Sequence, residues 1–254
     1  MKTAFALVAF STVLASAALA QDAVSAKGIY RDPAATSTKN GLAYRIMLIR
    51  SDARHEVPVS FPFRSGDRFK LQLNLKDAAF VYVLNRTFNG DPKEMGEKGI
   101  ERVRDEDRDR KERGQGTYTL LFPAPGERAE KIPAGHYRDI PGDVSLRMDK
   151  NPGVEKLYVI VSDTELDIPK MFPGGQLRAS GKKERHSDSS GDVLDRLNKD
   201  LTEWAKDSQT ESAPAPSGDD AENASSKGIE RDTYTVGSRN KPILAEITLR
   251  HFAE

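Results

Sequence analysis

The sequence predicts a mostly β protein: an Ig-like sandwich or open barrel of short antiparallel strands, with one amphipathic helix and a charged insert. Three observations carry this. Arg68 to Leu75 alternates without error, Phe69, Leu71, Leu73 and Leu75 against Arg68, Lys70, Gln72 and Asn74, the period of a half-buried strand with one wet face. Prolines and glycines then punctuate a series of short apolar runs, as expected of strand ends and corners because proline cannot donate to a ladder. Finally, a single stretch carries its apolar residues at helical spacing.

Taken in chain order, residues 1–20 read as a signal peptide. Lys2 gives a short positive start, Ala4 to Leu14 is nearly all apolar, and Ala18-Leu19-Ala20 supplies a small-x-small site with cleavage expected after Ala20. Ala15-Ser16-Ala17 is a rival cut site. The apolar run is too short for a membrane span, which needs roughly 17–25 residues. No later segment approaches that length, so the expectation is a periplasmic or secreted protein with no membrane span. Zero cysteine rules out a lipid anchor on an N-terminal Cys, and with an export address it points to a bacterial source.

Residues 21–40 form an N-terminal segment, and a β domain is expected over 41–173. Its strands are Leu42–Arg50, Arg68–Leu75, Ala79–Asn85, Thr117–Phe122, Val144–Met148 and Lys156–Ser162. Ser65-Gly66-Asp67 is the turn into the second of these. The stretch Asp91–Gly116 holds nine acids and eight bases and interrupts the domain as a charged insert, with i, i+4 pairs such as Glu106 and Arg110 that suit a solvated helix.

Residues 174–190 are expected to be a polar linker and 191–206 the helix. Val193, Leu194, Leu197, Leu201, Trp204 and Ala205 make its stripe, which reads as packing on the protein's own sheet. Ser189 or Ser190 would cap it. Residues 207–227 read as a disordered linker through Ala213-Pro214-Ala215-Pro216. Residues 228–254 complete the β domain as a C-terminal hairpin of Thr233–Val236 and Ile243–Arg250. A short echo joins Lys27-Gly28-Ile29-Tyr30-Arg31-Asp32 to Lys227-Gly228-Ile229-Glu230-Arg231-Asp232, and suggests similar edge segments at the two ends of the domain.

Chemistry is sparse. The 39 basic and 39 acidic side chains cancel, which argues against a nucleic-acid partner bound through a broad cationic field. Without cysteine there are no thiolate zinc sites or cysteine nucleophiles. His55, His136, His186 and His251 lie outside helical reach of one another, and no H-E-x-x-H, G-x-S-x-G or glycine-rich phosphate loop occurs. Ser162-Asp163 with His136 reads as a turn serine and a surface histidine. Asp105, Asp107 and Asp109 imitate a calcium loop, yet its sixth and twelfth positions hold Arg110 and Gly116 in place of Gly and Glu. No residue is assigned a catalytic, cofactor-binding or metal role, and no cofactor is called for.

Several segments in order resemble a known family: Ser65-Gly66-Asp67-Arg68-Phe69, Phe80-Val81-Tyr82-Val83-Leu84, Leu120-Leu121-Phe122-Pro123, Ile132-Pro133-Ala134-Gly135, Ile140-Pro141, Pro152 to Leu157, and Val159-Ile160-Val161-Ser162. They are similar to the bacterial domain-of-unknown-function family numbered four-three-eight-four, over about Gly41 to Pro169. The ending Ile243 to His251 also resembles members that close with a strand ending in His. The resemblance implies a mostly β accessory domain, often appended to caspase-like peptidases or kinases, with no catalytic residues to carry over. This chain departs from the pattern at Ala78-Ala79, where a Gly commonly precedes the aromatic, and in the insert Asp91–Gly116.

The functional expectation is an exported, non-catalytic β-domain protein of the bacterial cell envelope, with a binding or scaffolding role toward an envelope protein or polymer. The alternative is a periplasmic carboxylate-dependent hydrolase acting on envelope polymer, suggested by the abundance of acids. The candidate binding surfaces are the insert around Glu97–Arg113 and the wet face of Arg68–Asn74.

Overall fold

The computed structural model describes residues 25–32, 39–89, 117–178, 190–212 and 232–252. Within them the chain is mostly β, in two sheets that pack face to face without closing into a barrel. That decides for the sandwich over the barrel.

The elements, in order, are α1 (Ala26–Arg31), β1 (Lys39–Arg50), β2 (Ala53–Val57), β3 (Pro62–Arg64), β4 (Arg68–Leu75), β5 (Ala79–Asn89), β6 (Thr117–Phe122) and β7 (Lys131–Ile132). There follow β8 (Arg138–Ile140), β9 (Leu146–Arg147), β10 (Gly153–Ser162), α2 (Ile168–Met171), β11 (Gln176–Arg178), α3 (Ser190–Asp207), β12 (Gln209–Ser212), β13 (Thr233–Ser238) and β14 (Ile243–Phe252). The first sheet runs β12-β13-β1-β4-β8, with β2 also on β1 and β9 also on β4. The second runs β11-β6-β5-β10-β14-β3, with β7 on β5.

The two sheets differ in how their sequences are written, and burial explains the difference. In the first sheet, Leu42, Tyr44, Ile46 and Leu48 of β1 and Phe69, Leu71, Leu73 and Leu75 of β4 enter the core between the sheets. One face is covered by the other sheet, so these strands alternate. In the second sheet both faces are covered. Val81 and Val83 of β5 and Leu157, Val159 and Val161 of β10 join the inter-sheet core. Their neighbours Tyr82, Leu84, Tyr158 and Ile160 face outward into a second cluster, beneath Leu194, Leu197 and Leu201 of α3. Two-sided burial makes Phe80–Leu84 and Leu157–Val161 continuous apolar runs.

The expected helix is observed with its stripe on its own sheet; Trp204 and Ala205 pack, partly buried, against the same cluster. Each fully buried leucine of that stripe is worth about 1.5–3 kcal/mol relative to exposure. The capping candidate Ser189 lies outside the described residues, as does the insert Asp91–Gly116.

Four expectations are corrected. The C-terminal segment 228–254 does not form a hairpin: β13 pairs with β1 in the first sheet, whereas β14 pairs with β10 in the second. The turn between them, closed by Lys241 N–H donating to the Ser238 carbonyl, carries the chain from sheet to sheet. The crossing brings the two strands so close at Gly237 that a methyl group there would collide with Ile243 Cγ2. Segment 174–190 is not linker at its start, because Gln176–Arg178 pairs with Thr117–Thr119 as an edge strand. Segment 207–227 likewise begins with β12, which pairs with β13. Both are polar tracts recruited by open edges rather than by a pattern of their own. The first copy of the internal echo is a helix, α1, and not an edge segment; residues 227–231 of the second copy lie outside the described residues.

Candidate functional site

Ser65 occupies the turn between β3 and β4, with Gly66 at φ +84°, a backbone conformation suited to glycine. Its hydroxyl Oγ lies 3.2 Å from Nε2 of His251, near the end of β14. On the far side of the same ring, Asp149 Oδ1 stands 3.9 Å from Nδ1. Serine, histidine and aspartate are thus in a row, which no spacing in the sequence announced. The geometry does not make a nucleophile. At 3.9 Å the carboxylate makes no hydrogen bond that would orient the imidazole. The backbone N–H groups of Gly66 and Asp67, which follow the serine, donate to Met148 and Arg64 carbonyls and are closed to an oxyanion. His251 is fully buried, so the contact ties the last strand to the turn.

A cleft of about 480 Å³ lies between Gly126–Ala129 and Glu165–Lys170. Four of its charged side chains pair: Arg128 holds Glu165 through two nitrogens, at 3.1 and 2.8 Å, and Lys170 holds Asp167 at 2.6 Å. The hydrogen bond from Arg128 lowers the Glu165 carboxyl below its ordinary value, and that from Lys170 does the same for Asp167. A general acid for glycoside cleavage needs the opposite shift.

The wet face of Arg68–Asn74 is not open water. Lys70 is only 5% exposed, and its Nζ donates to Asp139 Oδ2 at 3.1 Å and to the Gly142 carbonyl at 2.6 Å. Gln72 donates to Asp139 Oδ1 and accepts from Arg45 Nε, each at 2.8 Å. Arg54 of β2 reaches across β1 and β4 to Asp139 Oδ2 at 2.8 Å. Burial alone would raise the Asp139 carboxyl; the hydrogen bonds from Gln72 and Lys70, with the charges of Lys70 and Arg54, outweigh it and hold it below its ordinary value. Arg45 also pairs with Glu56 at 3.5 Å and stacks 4.1 Å above the Tyr137 ring. At one end α1 roofs the face, with the Tyr30 hydroxyl donating to the Asn74 carbonyl and Tyr30 packed on Tyr234 at 5.2 Å. The result is a fixed polar array, four strands wide, on the outer face of the first sheet.

Of the histidines singled out in the sequence, His55 and His136 are exposed, His251 is buried, and His186 lies outside the described residues. Ser162 is buried and spent on Thr164, as a strand-end residue. The insert surface Glu97–Arg113 and the aspartates at 105, 107 and 109 also lie outside the described residues. Among those described, no group of three or more His, Asp or Glu is placed to hold a metal ion, and no helix is long and apolar enough to cross a membrane. No single period in the sequence announces the array, because its members, Arg45, Arg54, Lys70, Gln72 and Asp139, come from four strands; only Lys70 and Gln72 belong to the alternating face of Arg68–Asn74.

Comparison of the chain with protein-family models, with curated proteins and with solved structures finds no match.

Proposed function

We propose that this chain is an exported, non-catalytic β-sandwich of the bacterial cell envelope that works as a binding or scaffolding module, and that it binds through the outer face of its first sheet. The observation carrying this reading is the polar array around Asp139. Its side chains stand on paired strands, are held by named hydrogen bonds, and cover a sheet whose other face is the core. Such a platform is preorganised, so a partner meeting it loses little entropy to ordering the protein's side. The outer face of the second sheet is covered by α3, whereas α1 roofs one end of the first. The signal-peptide pattern at residues 1–20 supports the envelope location, and the resemblance to an accessory-domain family supports a non-catalytic role.

Site-specific photocrosslinking in cells tests it. A crosslinker at Arg68, on the outer face of the first sheet, is expected to trap a discrete envelope species. One at Lys199, on the exposed side of α3, is expected to trap none. Equal capture from both positions, or capture from Lys199 alone, overturns the assignment of the face.

A further inference from the structure

The outer face of the first sheet is not polar throughout. At the end roofed by α1, Ala43 of β1 and Tyr234 and Val236 of β13 form an apolar seat, packed with Ala26, Ile29 and Tyr30 and at most 4% exposed. Ala43 precedes Arg45 by two residues on β1, and Asn74 follows Gln72 by two on β4, so the seat continues the face of the polar array. Protein interfaces draw most of their energy from an apolar, desolvated centre with a polar rim around it. On this face the array would be the rim, and the most deeply buried apolar side chains lie under the helix.

With six residues α1 is too short to hold a helical conformation by itself in water, so it exists by docking. Its seat is shaped for Tyr30. A methyl group on Gly41 would stand 3.1 Å from Tyr30 Cδ2, and the Tyr30 hydroxyl donates to the Asn74 carbonyl at 3.0 Å. Lys76 Nζ closes the helix by donating to the carbonyls of Ile29 and Asp32, each at 2.7 Å. Arg31 Nη2 reaches the Tyr234 hydroxyl at 3.3 Å, and the Lys27 N–H donates to Glu211 Oε2 at 3.2 Å. One polar atom loses by this arrangement. The bond from Tyr30 sets the helix over Asn74, and Asn74 Oδ1 is buried there with no donor. A buried acceptor left unpaired is costly in a way that a solvated or partnered one is not. The docked helix thus works against one of the residues beneath it.

We infer that α1 is an autoinhibitory strap: docked, it hides the apolar end of the binding face, and a partner reaches that end by displacing it. The partner segment that fits presents what Tyr30 presents, an aromatic ring for the seat beside Gly41, together with a donor for Asn74 Oδ1. Released, α1 loses its helical structure, so the two states differ by the ordering of one short segment. A partner favours the open state through contacts that the closed state does not offer it. This inference rests on the reading of the outer face as the binding surface, and it adds what regulates access to that surface.

Native-state hydrogen exchange, read beside capture by the photocrosslinker at Arg68, tests it on the mature chain. The amides of Ile29 and Asp32, bonded to the Ser25 and Gly28 carbonyls, are expected to exchange at urea concentrations that leave β1 protected. Lys76→Gln removes both ties to the helix carbonyls. It should speed that exchange tenfold or more, leave β1 unchanged, and raise capture several-fold. Asn74→Leu keeps the shape and removes the unpaired acceptor, so it should slow α1 exchange several-fold and lower capture. Exchange of α1 only together with β1 overturns the strap, as does faster exchange in Asn74→Leu. Capture from the parent that stays the same in both variants overturns the inhibition and leaves the binding face intact. No capture from the parent or from Lys76→Gln would instead sink the reading of the face itself.

Discussion

Ser65 Oγ and His251 Nε2 meet at 3.2 Å although 186 residues separate them in the chain. The contact joins the turn that launches β4 in one sheet to the end of β14 in the other, at a ring that is fully buried. It clamps the open end of the sandwich where β3 adds to β14 over Arg250–Phe252. Because the ring's other nitrogen makes no hydrogen bond, the serine supplies the polar anchor of the imidazole.

Removing either partner should therefore cost stability rather than an activity. Ser65→Ala is expected to lower the unfolding free energy by about 1 kcal/mol, the usual net worth of one hydrogen bond. His251→Ala should cost about 2–4 kcal/mol, since it also leaves a cavity at a fully buried site. Urea unfolding of the single and double variants gives the coupling, expected at about 0.5–1.5 kcal/mol. Additive losses would show that the two side chains merely lie close.

The helix α3 provides a second test of what holds the second sheet's outer face. Leu197→Ala should cost about 2–5 kcal/mol, because that side chain is completely buried between α3 and the sheet. Lys199→Ala, two residues on and exposed, should stay within about 0.5 kcal/mol. Trp204 is the sole tryptophan and packs on the same cluster. Its fluorescence should therefore change at the same urea concentration as the β-sheet circular dichroism. A fluorescence transition well ahead of the sheet would mean that α3 detaches as a separate unit.

Much of this fold was legible in the sequence, and the exceptions share a cause. Arg68–Leu75 and Thr117–Phe122 came out with the bounds expected of them, the first because a strand with a single apolar face writes its own period. Val144–Met148 shrank to Leu146–Arg147, since only that dipeptide reaches β4. The strands Ala53–Val57, Gln176–Arg178 and Gln209–Ser212 carry no apolar alternation; each exists because a neighbouring strand offers it unpaired backbone groups. The C-terminal pair was read as a hairpin because alternation tells which face is buried and not which partner does the burying. The site followed the same rule. The face of Arg68–Asn74 was visible as a polar period, but Asp139, which organises it, stands 67 residues from its partner Gln72.

Acid should weaken the protein through Asp139. Its folded carboxyl is held below the ordinary value of 3.8 by Gln72, Lys70 and Arg54, against a burial effect in the other direction. A depressed folded value means that the unfolded chain takes up the proton first. The contribution is thus present above pH 3.8 and is lost as the pH falls through the lower folded value. Urea midpoints measured downward from about pH 5 should fall more steeply for the parent than for Asp139→Asn. Equal slopes would mean that the ladder of Lys70, Gln72 and Arg54 does not discriminate the charged from the neutral acid.

Alkali should act through the tyrosines, with the opposite sign. Burial pushes Tyr30 and Tyr44 up to about 12, Tyr30 with help from the Asp232 charge. Tyr137 is raised further still by burial and by Asp232. A raised folded value leaves the unfolded chain with fewer protons above pH 10, so stability is intact below that and declines as the pH climbs through 10 to 12. For Tyr44, only 3% exposed, the loss is about 1.4 kcal/mol per pH unit across that window as an upper bound. An ultraviolet titration of the native chain should therefore show too little tyrosinate at pH 10 for its seven tyrosines. The remainder should appear at higher pH together with the loss of near-ultraviolet circular dichroism, because those rings ionise by unfolding. Tyr44→Phe should remove its share of the slope and carry the dichroism to higher pH. If all seven rings ionised near pH 10 with the dichroism unchanged, the packing of α1 over β1 and β13 and the burial of Tyr44 between the sheets would both be wrong.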